Sequence, residues 1–394
     1  MPVLGSVRER FSRERPFRDM RIGCCLHVTA ETAVLIGALL AGGAEVFLAA
    51  SNPLSTNDAV ARHLSDLGVA TYARHGEGPT DLLANVDAVL DSRPALTVDD
   101  GCDLLARLHV DRRDRLECVL GGTEDTTTGA LRLRGLVAAG ALEYPVLAVS
   151  NSTVRLLADN RHGAAQSTIA AILRTTNTLV AGSTVVVAGY GNCGKAIADI
   201  ARGIGATVLV TEVQPLQALA AILDGHRVVS MDEAAPKGDI FITATGNRDV
   251  LSERHFKAMR DGAVLANAGQ FDLEIDLEGL ESAGARPRRV RPMVDEYAIR
   301  VPGADKRLLL LAEGRVVNLA AGEGNPPDVM DLAFAVQALS CEWLARQAPE
   351  LGAGVYDVPG EIDTAVARLK LGALGVSLDR LTAEQSAYLE SWGR

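Results

Sequence analysis

Thr184-Val185-Val186-Val187-Ala188-Gly189-Tyr190-Gly191-Asn192-Cys193-Gly194-Lys195 is the stretch from which the fold of this chain is read. A β-branched run leads into Gly189, Gly191 and Gly194 in the spacing G-x-G-x-x-G, and a segment of helical period, 195–204, follows. In such a strand-turn-helix unit the first glycine allows the tight turn and the second lets a pyrophosphate approach the backbone. The third lets helix and strand pack closely. The helix N-terminus, with Asn192 in the turn just before it, then faces the phosphates. A second strand, 207–211, leads to Glu212, eighteen residues past Gly194. An acidic side chain there holds a ribose diol and repels a 2′-phosphate, so NAD is favoured over NADP.

Outward from this turn, strands at 240–243 and 263–267 extend a doubly wound nucleotide-binding unit. Upstream, short β-rich runs alternate with helical segments (22–26, 31–40, 45–49, and similar units as far as 149), which is the pattern of a parallel α/β layer. Between the two lies a polar stretch, 150–163, that reads as a hinge and leads into a helix at 166–175. A helical stretch at 329–347, past Pro326 and Pro327, is expected to cross back to the first layer. The expected fold class is α/β with two domains: a Rossmann-type NAD-binding domain inserted in a doubly wound substrate domain, plus a small C-terminal helical arm. The boundaries are 1–152 with 327–358 for the substrate domain, 153–165 for the hinge, 166–323 for the NAD domain and 359–394 for an oligomerisation arm.

The 394 residues are 48% hydrophobic and 23% charged, the proportions of a globular protein. With 39 basic against 50 acidic side chains, the net charge of -11 disfavours nucleic acid and anionic membrane surfaces as partners. The longest near-apolar run, 33–44, is shorter than the roughly 20 residues that span a bilayer. The charged N-terminus lacks a signal-type apolar core, so a cytoplasmic location is expected. The 6 cysteines lie in apolar or glycine-rich settings without ligand spacing, so reduced thiols and no metal are expected.

Further motifs run the length of the chain: Cys25-Leu26-His27-Val28-Thr29-Ala30-Glu31-Thr32, Ser51-Asn52-Pro53-Leu54-Ser55-Thr56, Glu124-Asp125-Thr126-Thr127-Thr128-Gly129, Asp159-Asn160, Phe271-Asp272-Leu273-Glu274-Ile275-Asp276 and Leu311-Ala312-Glu313-Gly314-Arg315-Val316-Val317-Asn318. With these, the chain resembles the S-adenosylhomocysteine hydrolase family, NAD-dependent enzymes that split S-adenosylhomocysteine into adenosine and homocysteine. The resemblance implies a transient oxidation of the ribose 3′-hydroxyl by NAD, which makes the 4′ hydrogen acidic and lets the 5′ substituent leave. It also implies site roles. Asp100 handles the 4′ proton, His27 does acid-base work at the 5′ position, and Asp159 lies near the 3′ oxygen. Asp125 binds ribose hydroxyls, and Thr29 and Glu31 contact the nucleoside, Glu31 at the adenine. Thr126, Thr127, Thr128, Asn160 and Asn318 join Gly189, Gly191, Asn192, Gly194 and Glu212 at NAD. Members are typically tetramers, so a homotetramer or homodimer is expected.

Plainer roles fit the same residues: a satisfied core histidine at 27, a helix cap at Asp100, and a turn with a helix start at the threonine triplet. Departures from the family pattern fall in the site. A lysine that assists 3′ oxidation is expected two residues before Asp159, where this chain has Leu157; Arg155 is nearby in sequence, but a two-residue offset need not bring its guanidinium into the site. Gly-His-Phe-Asp is here Gly269-Gln270-Phe271-Asp272, and Gly-His-Pro is Gly324-Asn325-Pro326. The family's Lys- and Tyr-bearing C-terminal extension is absent from a chain ending Trp392-Gly393-Arg394. Leu157, Gln270 and Asn325 are therefore expected to refit the substrate side. The function expected from this pattern is an NAD-dependent dehydratase of an adenine nucleoside in nucleoside-antibiotic biosynthesis, with water as the leaving group. The alternatives are authentic S-adenosylhomocysteine hydrolysis and a noncatalytic NAD and nucleoside-binding regulator.

Overall fold

The computed structural model describes residues 1–284 and 287–392, apart from the side chains of Asn160 and Ala304. Its strands are β1 (Arg21–Leu26), β2 (Glu45–Ala50), β3 (Ala70–Tyr72), β4 (Leu96–Asp99), β5 (Gly121–Glu124), β6 (Pro145–Ala148), β7 (Thr184–Ala188), β8 (Thr207–Thr211), β9 (Arg227–Val228), β10 (Ile240–Thr243), β11 (Ala263–Asn267), β12 (Arg288–Arg291), β13 (Val294–Val301), β14 (Ala304–Leu311) and β15 (Gly354–Asp357). They form two sheets, ordered β15-β6-β5-β4-β1-β2-β3 and β12-β13-β14-β11-β10-β7-β8-β9.

The first sheet is parallel throughout, and its strand order reverses between β1 and β4. In the second, β7 lies between β10 and β8, and only the β12-β13-β14 meander is antiparallel. Open α/β sheets bind ligands outside the carboxyl ends of their strands where the order reverses. Those ends carry His27 and Asp100 in the first sheet and the glycine turn in the second. The α/β class with a Rossmann-type layer and C-terminal helices is thus the observed architecture.

Helix Pro327–Gln347 runs back onto the first sheet, burying Phe334, Val336 and Leu344 with Ile22, Leu48 and Val98. The polar stretch read as a hinge is helical. Thr153–Arg155 continues through a wide π-helical turn, Leu156–Gly163, into the helix Ala164–Thr176. The β13-β14 hairpin and the N-terminal helix Pro2–Glu14 are elements that the sequence reading did not contain. That helix buries Val3, Leu4, Val7 and Phe11. Its first turn is held by Asp331, which is 0% exposed and accepts the N–H groups of Val3 at 3.2 Å and Leu4 at 2.9 Å. Asp331→Ala leaves those two donors without a partner in the core. We expect it to lower unfolding stability by about 1–3 kcal/mol, read as a shifted urea midpoint with an unchanged m-value.

The two helical patterns of the C-terminal arm are the helices Gly360–Ala373 and Ala383–Glu390. The first seats Ile362 and Val366 in the core, while Tyr388 and Trp392 of the terminal segment are exposed. Among the described residues, no helix is long and apolar enough to cross a membrane.

Candidate active site

A cavity of about 350 Å³ lies where the carboxyl ends of the two sheets face each other. Loops following β1, β4 and β5 bring His27, Asp100 and Asp125 into it, and the helical segment after Arg155 brings Asp159. Gln270 and Phe271, beyond β11, meet the first sheet's loops: Gln270 Nε2 donates to Asp100 Oδ1 at 2.9 Å, and the Phe271 ring stacks 5.3 Å from the Arg132 guanidinium.

His27 is 7% exposed and not a satisfied core histidine. Its Nδ1 lies 2.6 Å from Ser55 Oγ, but its Nε2 is buried without a hydrogen bond, 3.7 Å from Asp100 Oδ2. Burial pulls the imidazole down to about 4, partly offset by the carboxylate of Asp125. Asp100 is pushed up to about 7, chiefly by burial, against the pull of Arg155. Nor does Asp100 cap the helix Asp103–Val110, because Asp99 Oδ2 accepts the Leu105 N–H at 2.8 Å instead. Asp100 is thereby free to face the cavity.

Behind these groups, the buried Glu124 ties the two loops together. Its Oε1 accepts from Gly101 N at 2.9 Å and from Thr126 N at 2.8 Å. Thr126 caps the helix Thr127–Ala138 through Gly129 N at 2.9 Å, so the helix-start role is real for this residue. Thr127 and Thr128 line the cavity beside it, as do Thr29 and Glu31 on the opposite loop.

Arg155 does reach the site. It is 6% exposed, and its Nη1 donates to Asp125 O at 2.6 Å and to Asp125 Oδ1 at 2.5 Å. Its Nη2 donates to Asp159 Oδ2 at 2.5 Å, and Asn325 Nδ2 donates to the other oxygen of Asp159. Leu157, expected to touch substrate, is 57% exposed and does not line the cavity. The cause is helical geometry. In a helical turn, α or the wider π form seen here, a side chain two positions away points to the opposite face, whereas one four positions away shares the face. Arg155 and Asp159 have that four-residue spacing, which the sequence displays once the segment is read as helix. Ser55 carries no such signal and comes to His27 through the turn Pro53–Ser55.

The second sheet presents the glycine turn. A Cβ on Gly194 would sit 2.1 Å from Gly189 O, so the helix can approach the strand this closely only with glycine. Gly191 and Asn192 line the cavity, with Gly189 and Gly194 behind them in the turn. Glu212, at the end of β8, accepts Tyr190 N at 2.7 Å, which fixes its carboxylate beside the turn. Asn318 donates from Nδ2 to Ser167 Oγ at 3.0 Å, while its buried Oδ1 has no partner. That orphaned acceptor at the cavity wall fits the amide of a nicotinamide. The side chain of Asn160 is outside the described residues. Gly194→Ala forces the turn apart, and we expect at least tenfold weaker NAD binding by calorimetry with the fold retained by circular dichroism.

Residues 1–119 match the family model "S-adenosyl-L-homocysteine hydrolase", and residues 160–324 match its "NAD binding domain". The chain is 51% identical over 393 residues to the S-inosyl-L-homocysteine hydrolase of Methanopyrus kandleri, covering 100% of this chain and 92% of that one. It is 50% identical over 393 residues to the adenosylhomocysteinase of Aquifex aeolicus, covering 100% and 93%. Among solved structures, a dipicolinate synthase chain from Bacillus halodurans shares the fold with a TM-score of 0.50 at 13% identity, over 84% of this chain and 100% of that one.

Proposed function

The chain belongs to the S-adenosyl-L-homocysteine hydrolase family and binds NAD, and from that premise we propose that it dehydrates an adenine nucleoside across the 4′ and 5′ carbons. The observation that carries this reading is the charge of the cavity wall. Arg155 is the one Lys or Arg among the described residues that line it, and both its terminal nitrogens are engaged by Asp125 and Asp159. Glu31, Asp100, Asp125, Asp159 and Glu323 line the same wall. An amino-acid carboxylate such as that of homocysteine would find no free cation and five acidic side chains there. A neutral hydroxymethyl group makes no such demand.

Bound NAD supplies the hydride acceptor that makes the 3′ carbon a ketone and the adjacent 4′ C–H acidic. The rest is the work of the side chains. Asp159 accepts the 3′-hydroxyl proton, since the Arg155 guanidinium stays charged and cannot. Asp125 holds the neighbouring hydroxyl, and Glu31 accepts from the adenine amine, an interaction that hypoxanthine with its carbonyl lacks. Asp100 takes the 4′ proton. A thiolate leaves as the base of an acid of pKa about 8.5, whereas hydroxide derives from water at about 15.7. Departure of the 5′ oxygen therefore needs a proton, and we assign its delivery to His27.

The hydrolase reading keeps one observation in its favour, the near 50% identity to adenosylhomocysteinase over the whole chain. A direct comparison decides between the two. The NAD-loaded protein is given S-adenosylhomocysteine and, separately, adenine nucleosides with a free 5′-hydroxyl. Loss of water from a nucleoside by mass spectrometry, with slow thiol release from S-adenosylhomocysteine, supports the dehydratase. Rapid thiol release with no dehydrated product overturns it.

A further inference from the structure

We infer that Ser55, which lies outside the cavity lining, is a positioning residue that holds His27 in the tautomer protonated on Nδ1 and so leaves Nε2 an empty acceptor facing Asp100. The argument is a count of protons. A serine hydroxyl has one proton to give and lone pairs to accept. Ser55 Oγ lies 3.0 Å from Asn52 O, an atom that only accepts, and 2.6 Å from His27 Nδ1. Asn52 O also accepts from Thr56 Oγ1 at 3.1 Å; we assign the Ser55 proton to the same carbonyl and its lone pair to the N–H of the ring.

The support is rigid. Asn52 is 3% exposed and its side chain accepts Leu54 N at 3.0 Å, closing the short turn that carries Ser55. From the other side, Thr32 Oγ1 donates to His27 O at 2.6 Å. The ring is thereby held at Nδ1 by the turn, and the His27 main chain by Thr32. What remains is Nε2, buried and unpartnered, 3.7 Å from Asp100 Oδ2.

Its consequence for catalysis rests on the dehydratase reading. As the 4′ C–H bond breaks, Asp100 takes the proton and passes it to the empty Nε2. The resulting imidazolium, its Nδ1–H still held by Ser55, gives that proton to the 5′ oxygen as the C–O bond breaks. The electron pair of the C–H bond becomes the exocyclic double bond, water departs, and both side chains return to their starting states without a proton from outside. With Nε2 already protonated the relay from Asp100 is blocked, because a neutral imidazole donor would be left as an anion.

The test reads the tautomer and the turnover separately. In NAD-loaded protein without substrate, ¹⁵N NMR of His27 is expected to show a protonated Nδ1, lost in Ser55→Ala and kept in Ser55→Thr. With a turned-over nucleoside, Ser55→Ala is expected to lower kcat about 10- to 100-fold with KM little changed, and Ser55→Thr to recover it. An Nε2-protonated ring in the wild type, or a tautomer and kcat that ignore Ser55→Ala, overturns the inference. A tautomer that follows Ser55 while no nucleoside is consumed supports the inference and counts instead against the proposed function.

Discussion

Asp100→Asn is expected to lower kcat by about 10²- to 10⁴-fold while leaving NAD and nucleoside binding nearly intact, because the amide keeps the shape of the carboxylate and loses its basicity. The Gln270 contact at 2.9 Å to Asp100 Oδ1 sits on the side away from His27, so a correctly turned amide still meets it through its oxygen. A pH signature accompanies the loss. The 4′ base works only as a carboxylate, and burial pushes Asp100 up to about 7. Below that value it holds its proton and is idle. The wild-type kcat/KM is therefore expected to climb as pH rises through about 7, and Asp100→Asn is expected to abolish this limb. A profile that keeps it in the variant assigns the titration to another group.

Arg155→Leu is expected to be nearly as damaging, by a different route. It strands Asp125 and Asp159, both buried, without the guanidinium that bridges them. Removing one partner from a buried ion pair typically costs about 3–5 kcal/mol. Asp159 also loses the contact that fixes its carboxylate for the proposed 3′ proton transfer. Stability and kcat are thus expected to fall together, with kcat reduced about 10²-fold or more. Arg155→Lys restores the charge but not the fork that reaches two carboxylates, so an intermediate rate is expected. If Arg155→Leu retains wild-type turnover, the cation has no part in the chemistry.

Much of the architecture was legible because its signals are local. The β-branched run before Gly189 and the hydrophobic alternation of strand and helix through the first sheet declare themselves without tertiary knowledge. The meander was not legible, since Asp295, Glu296 and Arg300 interrupt β13 with charges that pair across the sheet or face solvent. The N-terminal helix hid behind its arginines, and its anchor, Asp331, lies far along the chain.

The candidate site was legible where a motif carried it, as at His27 and Asp125, which meet Asp100 in one cavity. It was misread where local geometry was misassigned. The polar composition of the stretch hides the helical spacing of Arg155 and Asp159, and Leu157 lies on the other, exposed face. Ser55 was invisible because its role depends on the direction of one proton, which no spacing encodes.

The most direct measurement follows deuterium at the 4′ carbon. Adenosine and S-adenosylhomocysteine labelled there, each incubated with the NAD-loaded protein, are read by mass spectrometry and NMR. The account predicts that label passes from the free nucleoside to water, at a rate that collapses in Asp100→Asn. Label retained in both compounds after prolonged incubation, with NAD bound throughout, contradicts it.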